Sequence, residues 1–275
     1  MIVEVRSDQP KKASGAKEDD VPLELRRLWG LGAPQQRLGR PAELDLRRVV
    51  QTGIKLADRY GLRGASLPNI AKALGHTTMS LYRHVGSKDE LLALMRDFAV
   101  GTPPEIPAHP GEWREALRQW ATEQRVLYRR RPWLARVPIS GPPSGPNQIA
   151  WMEAGLQILR DTGLDWAEKV GILTLVSIYV LQMTFLSQDL EHGRKGTGIN
   201  QAEAEARYAR NLVKLIDPQR FPEMAQLFAS GVFEAPPKGA KADPMADPDF
   251  TFGLERILDG AAAAIARRQI RGGNG

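Results

Sequence analysis

The feature that most constrains this chain is the spacing of its apolar residues. Between residues 44 and 268 they recur at steps of three and four in almost every segment, and no segment alternates apolar and polar residues over a strand's length. Steps of three and four place side chains on one face of a helix, whereas a half-buried strand needs steps of two. The expected fold class is therefore all-α. Proline-rich breaks at Thr102–Pro110, Pro138–Pro146 and Glu234–Pro248 divide the helices into groups.

The 275 residues suffice for about two domains, and the charge is unevenly shared between them. Residues 44–100 hold nine Lys/Arg against five Asp/Glu, whereas residues 101–275 hold 21 against 20, so most of the formal +6 belongs to one fifth of the chain. That distribution points to a small basic domain joined to a larger, nearly neutral one. Residues 1–43 carry Pro10, Pro22, Pro34 and Pro41 with little periodicity and read as a flexible arm, apart from Leu23–Leu31, LELRRLWGL, which suits a short amphipathic turn. The domain boundaries expected are 44–101 and 110–270.

The N-terminus, MIVEVRSDQPKK, does not have the long apolar stretch of a secretory signal. The apolar run Val170–Leu186 is shorter than the roughly 20 residues a membrane span needs, and Thr174, Ser177, Gln182 and Thr184 interrupt it. It reads as a buried or interface helix of a cytoplasmic protein, with no membrane partner. Cysteine is absent, which removes disulfides, thiolate metal sites and thiol chemistry together. The four histidines, His76, His84, His109 and His192, show no metal-binding i to i+4 pairing. No nucleophile elbow, phosphate-binding glycine loop or dinucleotide fingerprint is present, so catalytic residues, metals and cofactors are all expected to be none.

In the basic domain, Leu46, Val49, Val50, Ile54 and Ala57 form the inner face of a first helix that ends near Gly61. Ser66 caps a second, SLPNIAKAL, in which Leu67, Ile70, Ala71 and Leu74 face inward and Gly75 stops the helix. A turn of about three residues leads to TMSLYRHV, where Leu81 and Val85 anchor one side and Thr78, Met79, Tyr82 and Arg83 lie on others. Ser87 opens a fourth helix, with Glu90 in the capping-box position. Two short helices joined by a tight glycine-containing turn, with a third packed before them, form the helix-turn-helix pattern.

The run Leu62–Leu92, LRGASLPNIAKALGHTTMSLYRHVGSKDELL, resembles the DNA-binding domain of the tetracycline-repressor (TetR) family, especially in LYRHV and SKDELL. Residues 131–156 and the closing FTFGLERILDGAAAAI resemble the ligand-binding domains of similar regulators from actinobacteria. The resemblance spans roughly 44–268 and is weak between 192 and 248. It implies a homodimeric transcriptional regulator, usually a repressor, that binds palindromic operator DNA and is released by a small molecule. It further implies that Tyr82, His84 and Lys88 clamp the DNA backbone. Their chemistry agrees: a phenol and an imidazole donate to phosphate oxygens, and a lysine at a helix N-terminus adds charge to free amides. Thr78, Met79, Ser80 and Arg83 are candidates for base edges, with Ser66 beside them at the second helix; Arg83 suits guanine and Met79 a thymine methyl. The bland alternatives are that Tyr82 packs between helices and His84 is a solvated surface residue. His76 stands where the family usually has a small aliphatic residue, and Pro68 where a longer side chain often touches DNA. Arg37–Pro41, RLGRP, is either a minor-groove arm or a solvated linker.

In the larger domain, Trp113, Leu117, Trp120 and Leu127 make an apolar stripe that Gln124 interrupts. A buried amide needs a partner, which is either a ligand or the protein's own backbone. Asn147 is placed to cap a helix carrying Trp151, Met152 and Leu156, and Asp165 with Glu168 to cap one carrying Ile178, Tyr179, Met183 and Phe185. Trp120, Gln124, Trp151, Met152, Tyr179 and Met183 are taken as a ligand-contact set, against the alternative that such stripes are plain core. The effector expected is bulky and largely apolar. The last helix, Phe250–Arg268, carries Phe252, Ile257, Leu258, Ala261 and Ile265 on one side and, by the resemblance, is expected to pair with the 165–190 helix and with their symmetry mates in a four-helix dimer interface. Two other functions compete: a DNA-binding dimer that senses nothing, and an enzyme.

Overall fold

The computed structural model describes residues 21–31, 44–107, 109, 111–233 and 247–272. Among these, eleven α-helices and no strand are found. The described residues form two compact units, one of those up to residue 105 with 136–154, the other of 106–135 with those from 155 onward. Residues 136–154, read from the sequence as part of the larger domain, thus group with the basic one. RLGRP lies outside the described residues.

Among the described residues the first unit begins with α1 (Leu23–Leu28), within the Leu23–Leu31 segment expected to form a short amphipathic turn. It packs on α5 (Lys88–Val100) and buries Leu28. Next, α2 (Leu46–Tyr60) is capped by Asp45, whose side chain accepts from the Arg48 amide, and buries Val49, Val50, Ile54 and Ala57. Gly53 lets it approach α5: a Cβ there would lie 2.8 Å from the Met95 sulfur. In α3 (Leu67–Leu74) Ser66 accepts from the Asn69 amide and Pro68 occupies the first turn. Gly75 ends α3 in the left-handed conformation at φ 73°, so that the His76 amide reaches the Ala71 carbonyl and the Gly75 amide that of Lys72. Thr77 then caps α4 (Thr78–Val85). Leu81 and Val85 are fully buried, which fixes the rotation of α4 about its axis.

Two caps differ from the expectation. Ser87 caps α5 through the Glu90 amide, but the Glu90 carboxylate does not reach back to complete a capping box. The Ser87 amide is taken by the Val85 carbonyl, and the carboxylate instead binds Arg27 of α1 at 2.8 and 2.9 Å. Nor does the side chain of Asn147 cap α7 (Pro146–Ile158). Asp97 of α5 does, accepting from the Asn147 and Gln148 amides at 3.1 and 3.0 Å and from the Asn147 side chain at 2.9 Å. Asp97 is fully buried, and Gly145 is what lets it approach, because a Cβ there would stand 2.2 Å from its carboxylate oxygen.

In the second unit, α6 (Trp113–Arg130), α8 (Trp166–Arg194) and α11 (Pro248–Gly272) pack on one another. The expected capping box of Asp165 and Glu168 starts α8. At Gly155, where α7 enters this unit, a Cβ would press on Leu173 and Trp120. The buried side of α11 is Phe250, Leu254, Leu258, Ala261 and Ile265; Phe252 is 66% exposed and does not belong to it. Tyr179 sets this rotation: it stacks on Phe250 and lies so close to Gly253 that a Cβ there would stand 2.2 Å from its hydroxyl. Ion pairs fasten α6 to α11, with Arg114 on Glu255 and Asp259 and Arg118 on Glu255. Hydrogen bonds from Arg118 and Arg114 hold the Glu255 carboxyl down at about 2. Two further helices, α9 (Gln201–Leu212) and α10 (Pro222–Ala229), complete the unit.

Candidate nucleic-acid interface

Burial of Leu81 and Val85 leaves the opposite side of α4 to solvent. Met79 is 73% exposed, Tyr82 41%, and Arg83 is also exposed, so three large side chains of different chemistry project from one short helix. Thr78 and Ser80 are half-buried, and the Ser80 hydroxyl donates to the Thr77 carbonyl at 2.7 Å, which tightens the first turn. Ser66, half-buried, is engaged in capping α3. Tyr82 is thus not packed between helices. His84 is half-buried, and burial lowers its pKa below 6.5; Asp45 opposes this, while Arg27, His76 and Arg83 add to it. Lys88 is exposed in the first turn of α5. Amides and a lysine at a helix start, beside a phenol, an imidazole and a guanidinium, make a surface that can donate hydrogen bonds to phosphates while presenting Met79 and Arg83 to base edges.

The six residues read as ligand contacts fall in both units. Trp151 and Met152 are in the first, where the buried Trp151 indole donates to the Gly101 carbonyl at 3.0 Å. The other four are in the second. Trp120 and Gln124 lie one turn apart on the buried side of α6, and Tyr179 and Met183 one turn apart on α8, which packs on α6. The Tyr179 hydroxyl is held by the carbonyls of Asp249 and Phe250, at 3.0 and 2.9 Å. Burial raises its pKa, with Asp247 and Asp249 adding to the shift. Gln124 is 8% exposed, and its side-chain nitrogen has no hydrogen-bond partner among the described residues.

Two clefts in the second unit are lined by other residues. Between α6 and α11 runs a cleft of about 120 Å³ walled by Arg118, Arg125, Val126, Phe250 and Leu254. Arg125 lies over the Phe250 ring at 4.2 Å and pairs with Asp247 at 2.5 Å, and burial lowers its pKa against the pull of that carboxylate. A second cleft, about 340 Å³, opens between α9 and α10 at Ala206, Ala209, Arg210, Phe228 and Phe233. Sequence reasoning missed the cluster of Tyr208, Phe228 and Phe233 beside it, whose members are spread along 26 residues of irregular spacing.

Comparison with known proteins gives concordant matches. Residues 49–95 match the family model described as bacterial regulatory proteins, tetR family, and residues 106–265 that of the tetracyclin repressor-like C-terminal domain. The HTH-type transcriptional repressor DrrR1 of Streptomyces coeruleorubidus is 36% identical over 255 residues, covering 91% of this chain and 88% of that protein. The crystal structure of apo ActR from Streptomyces coelicolor superposes with a TM-score of 0.65 at 28% identity, covering 82% of this chain and 99% of ActR. ActR in complex with actinorhodin gives a TM-score of 0.64 at the same identity and coverage.

Proposed function

The chain belongs to the tetR family of bacterial regulatory proteins, and on that footing we propose that it is a cytoplasmic repressor, binding a palindromic operator as a homodimer and released by a bulky, largely apolar small molecule. The observation that carries this reading is the face of α4: Leu81 and Val85 bury one side completely, and Met79, Tyr82 and Arg83 stand free on the other. Tyr82, His84 and Lys88 bind phosphates and set the register of α4 in the major groove. Thr78, Met79, Ser80 and Arg83 meet base edges, and Ser66 holds the start of α3 at the DNA. In a dimer the two α4 helices enter successive major grooves, one helical turn apart. Effector binding favours an arrangement whose half-site spacing no longer fits, and the complex dissociates.

Gln124 supports a ligand-sensing role, because a buried amide nitrogen without a partner among the described residues is a group that an effector's acceptor would satisfy. ActR, of related fold, takes up actinorhodin and (S)-DNPA. The second reading, a DNA-binding dimer without a sensor, has its own support: the Trp151 indole and Tyr179 hydroxyl are both spent on backbone carbonyls.

Fluorescence anisotropy with a duplex selected by the wild-type protein from a random pool tests the assignment. Tyr82→Phe removes one donor to phosphate and weakens binding by roughly three- to tenfold on every sequence. Arg83→Ala relaxes the preference at one base pair by about 1–3 kcal/mol. If neither substitution changes affinity, α4 is not the recognition helix. Titrating actinorhodin into the wild-type complex separates the two readings for that ligand class, and Gln124→Leu should lower the sensitivity of any release.

A further inference from the structure

The α1 helix lies upstream of the matched family segment, which begins at residue 49, yet it is built into the DNA-binding unit at three points. Leu28 is 6% exposed against α5. The Trp29 indole donates to the Ser144 carbonyl at 2.8 Å, fixing the end of α1 to the loop before α7. Between them, the Arg27 guanidinium donates to both Glu90 oxygens, and both side chains are largely shielded, at 20% and 12% exposure.

The pair sits on the turn joining α4 to α5. Gly86, at φ 62°, ends α4, and a Cβ there would stand 2.3 Å from a Glu90 oxygen and 2.7 Å from the Arg27 nitrogen. This turn lies between His84 and Lys88, two of the residues assigned to phosphate. A free carboxylate beside it would repel the phosphate those residues bind. We propose that α1 is an electrostatic strap on the nucleic-acid interface, in which Arg27 neutralises Glu90 and draws its carboxylate onto Gly86, so that Glu90 adds no repulsion to a phosphate at the α4–α5 turn. The proposal rests on the DNA-binding reading above and adds Arg27 and Glu90 to it as positioning residues. A glycine at 86 is required twice, by its positive φ and by the close approach of the pair.

The test is a charge cycle in the full chain: Arg27→Ala, Glu90→Gln and the double variant, with Lys88→Ala as a control, each titrated against the selected duplex at about 50 and 300 mM salt. Arg27→Ala should weaken binding about tenfold at low salt, and the deficit should shrink at high salt as the exposed carboxylate is screened. Glu90→Gln alone should bind at least as well as wild type. In the double variant affinity should return to within about twofold of wild type, since the repelling charge is gone. A structural role alone would leave the double variant as weak as Arg27→Ala and the deficit independent of salt, and either result overturns the proposal. Equal affinity of Arg27→Ala and wild type, with Lys88→Ala weakened, also overturns it while sparing the DNA-binding reading. Loss of effect in Lys88→Ala and Tyr82→Phe together would instead overturn that reading itself.

Discussion

His84 is where the charge of the DNA-binding unit becomes sensitive to pH. Burial, together with Arg27, His76 and Arg83, lowers its pKa below 6.5 against the opposing pull of Asp45, which favours the neutral ring in the free protein. In the proposed complex, a phosphate oxygen accepting from the ring would stabilise the imidazolium and raise the pKa. Binding then takes up a proton, and affinity must rise as the pH falls from about 8 to about 6. The sign for folding is opposite. The unfolded chain protonates first, so the stability contributed by neutral His84 is present above pH 6.5 and is lost as the pH falls through the lower folded value. Operator titrations across this range should show tighter binding toward acid, a slope that His84→Gln flattens and His76→Gln leaves in place. A wild-type slope that survives His84→Gln would take the imidazole away from the phosphate. Met79, Tyr82 and Arg83 were legible from spacing because two buried neighbours, Leu81 and Val85, fix the rotation of an eight-residue helix.

At the scale of elements, the caps divide by how far their partners lie along the chain. Ser66, Ser87 and Asp165 bond amides three residues on, so a reader of the sequence sees donor and acceptor together. The cap of α7 comes from Asp97, 50 residues earlier, and Glu90 is claimed by Arg27, 63 residues away. Neither pairing leaves a mark in local spacing. The rotation of α11 was hidden for a related reason. Phe250 and Phe252 are both plausible core residues in sequence, and the choice is made by Tyr179 stacking on one of them over Gly253. Asp97 offers the clearest consequence. Asp97→Ala strands two half-buried amides and the Asn147 side chain, and a chain so altered should lose about 1–3 kcal/mol, because hydrogen bonds left unmade away from water cost their desolvation. Gly145→Ala, which drives a methyl into the same carboxylate, should destabilise in the same direction. Urea unfolding at pH 7 measures both, and midpoints unchanged from wild type would mean that the α5–α7 joint holds without the cap.

At the scale of the whole molecule, the apolar surface of α8 asks for a cover. The helix has a mean hydropathy of 1.8 over its most apolar 18 residues, enough by length and composition to cross a membrane, yet only 28% of that window is buried. Its buried positions Ile172, Val176 and Val180 share the interior with α6 and α11, which leaves Leu175, Ile178 and Leu186 at 60%, 51% and 51% exposure. On α11 the face away from the core carries Phe252 and Ile270, at 66% and 68% exposure, with Ala263 and Ala266 between them. Two such faces, one per helix, match what a second copy of the same chain would bury, and a two-fold interface uses the same surface twice. The expectation is a dimer of 30.4 kDa chains. Replacing Leu175 and Ile178 together by Glu places four charges in that interface, two from each copy, and should yield a monomer of unchanged helical content. It should also bind a palindromic duplex on the order of 10²-fold more weakly, because the second half-site is no longer held at high effective concentration. Sedimentation equilibrium at micromolar concentration reads the first outcome and anisotropy the second. A wild-type chain that sediments as a monomer, or a doubly substituted one that stays dimeric, would show that these faces are not the interface. A monomer that kept full affinity would show that dimerisation does not serve DNA binding.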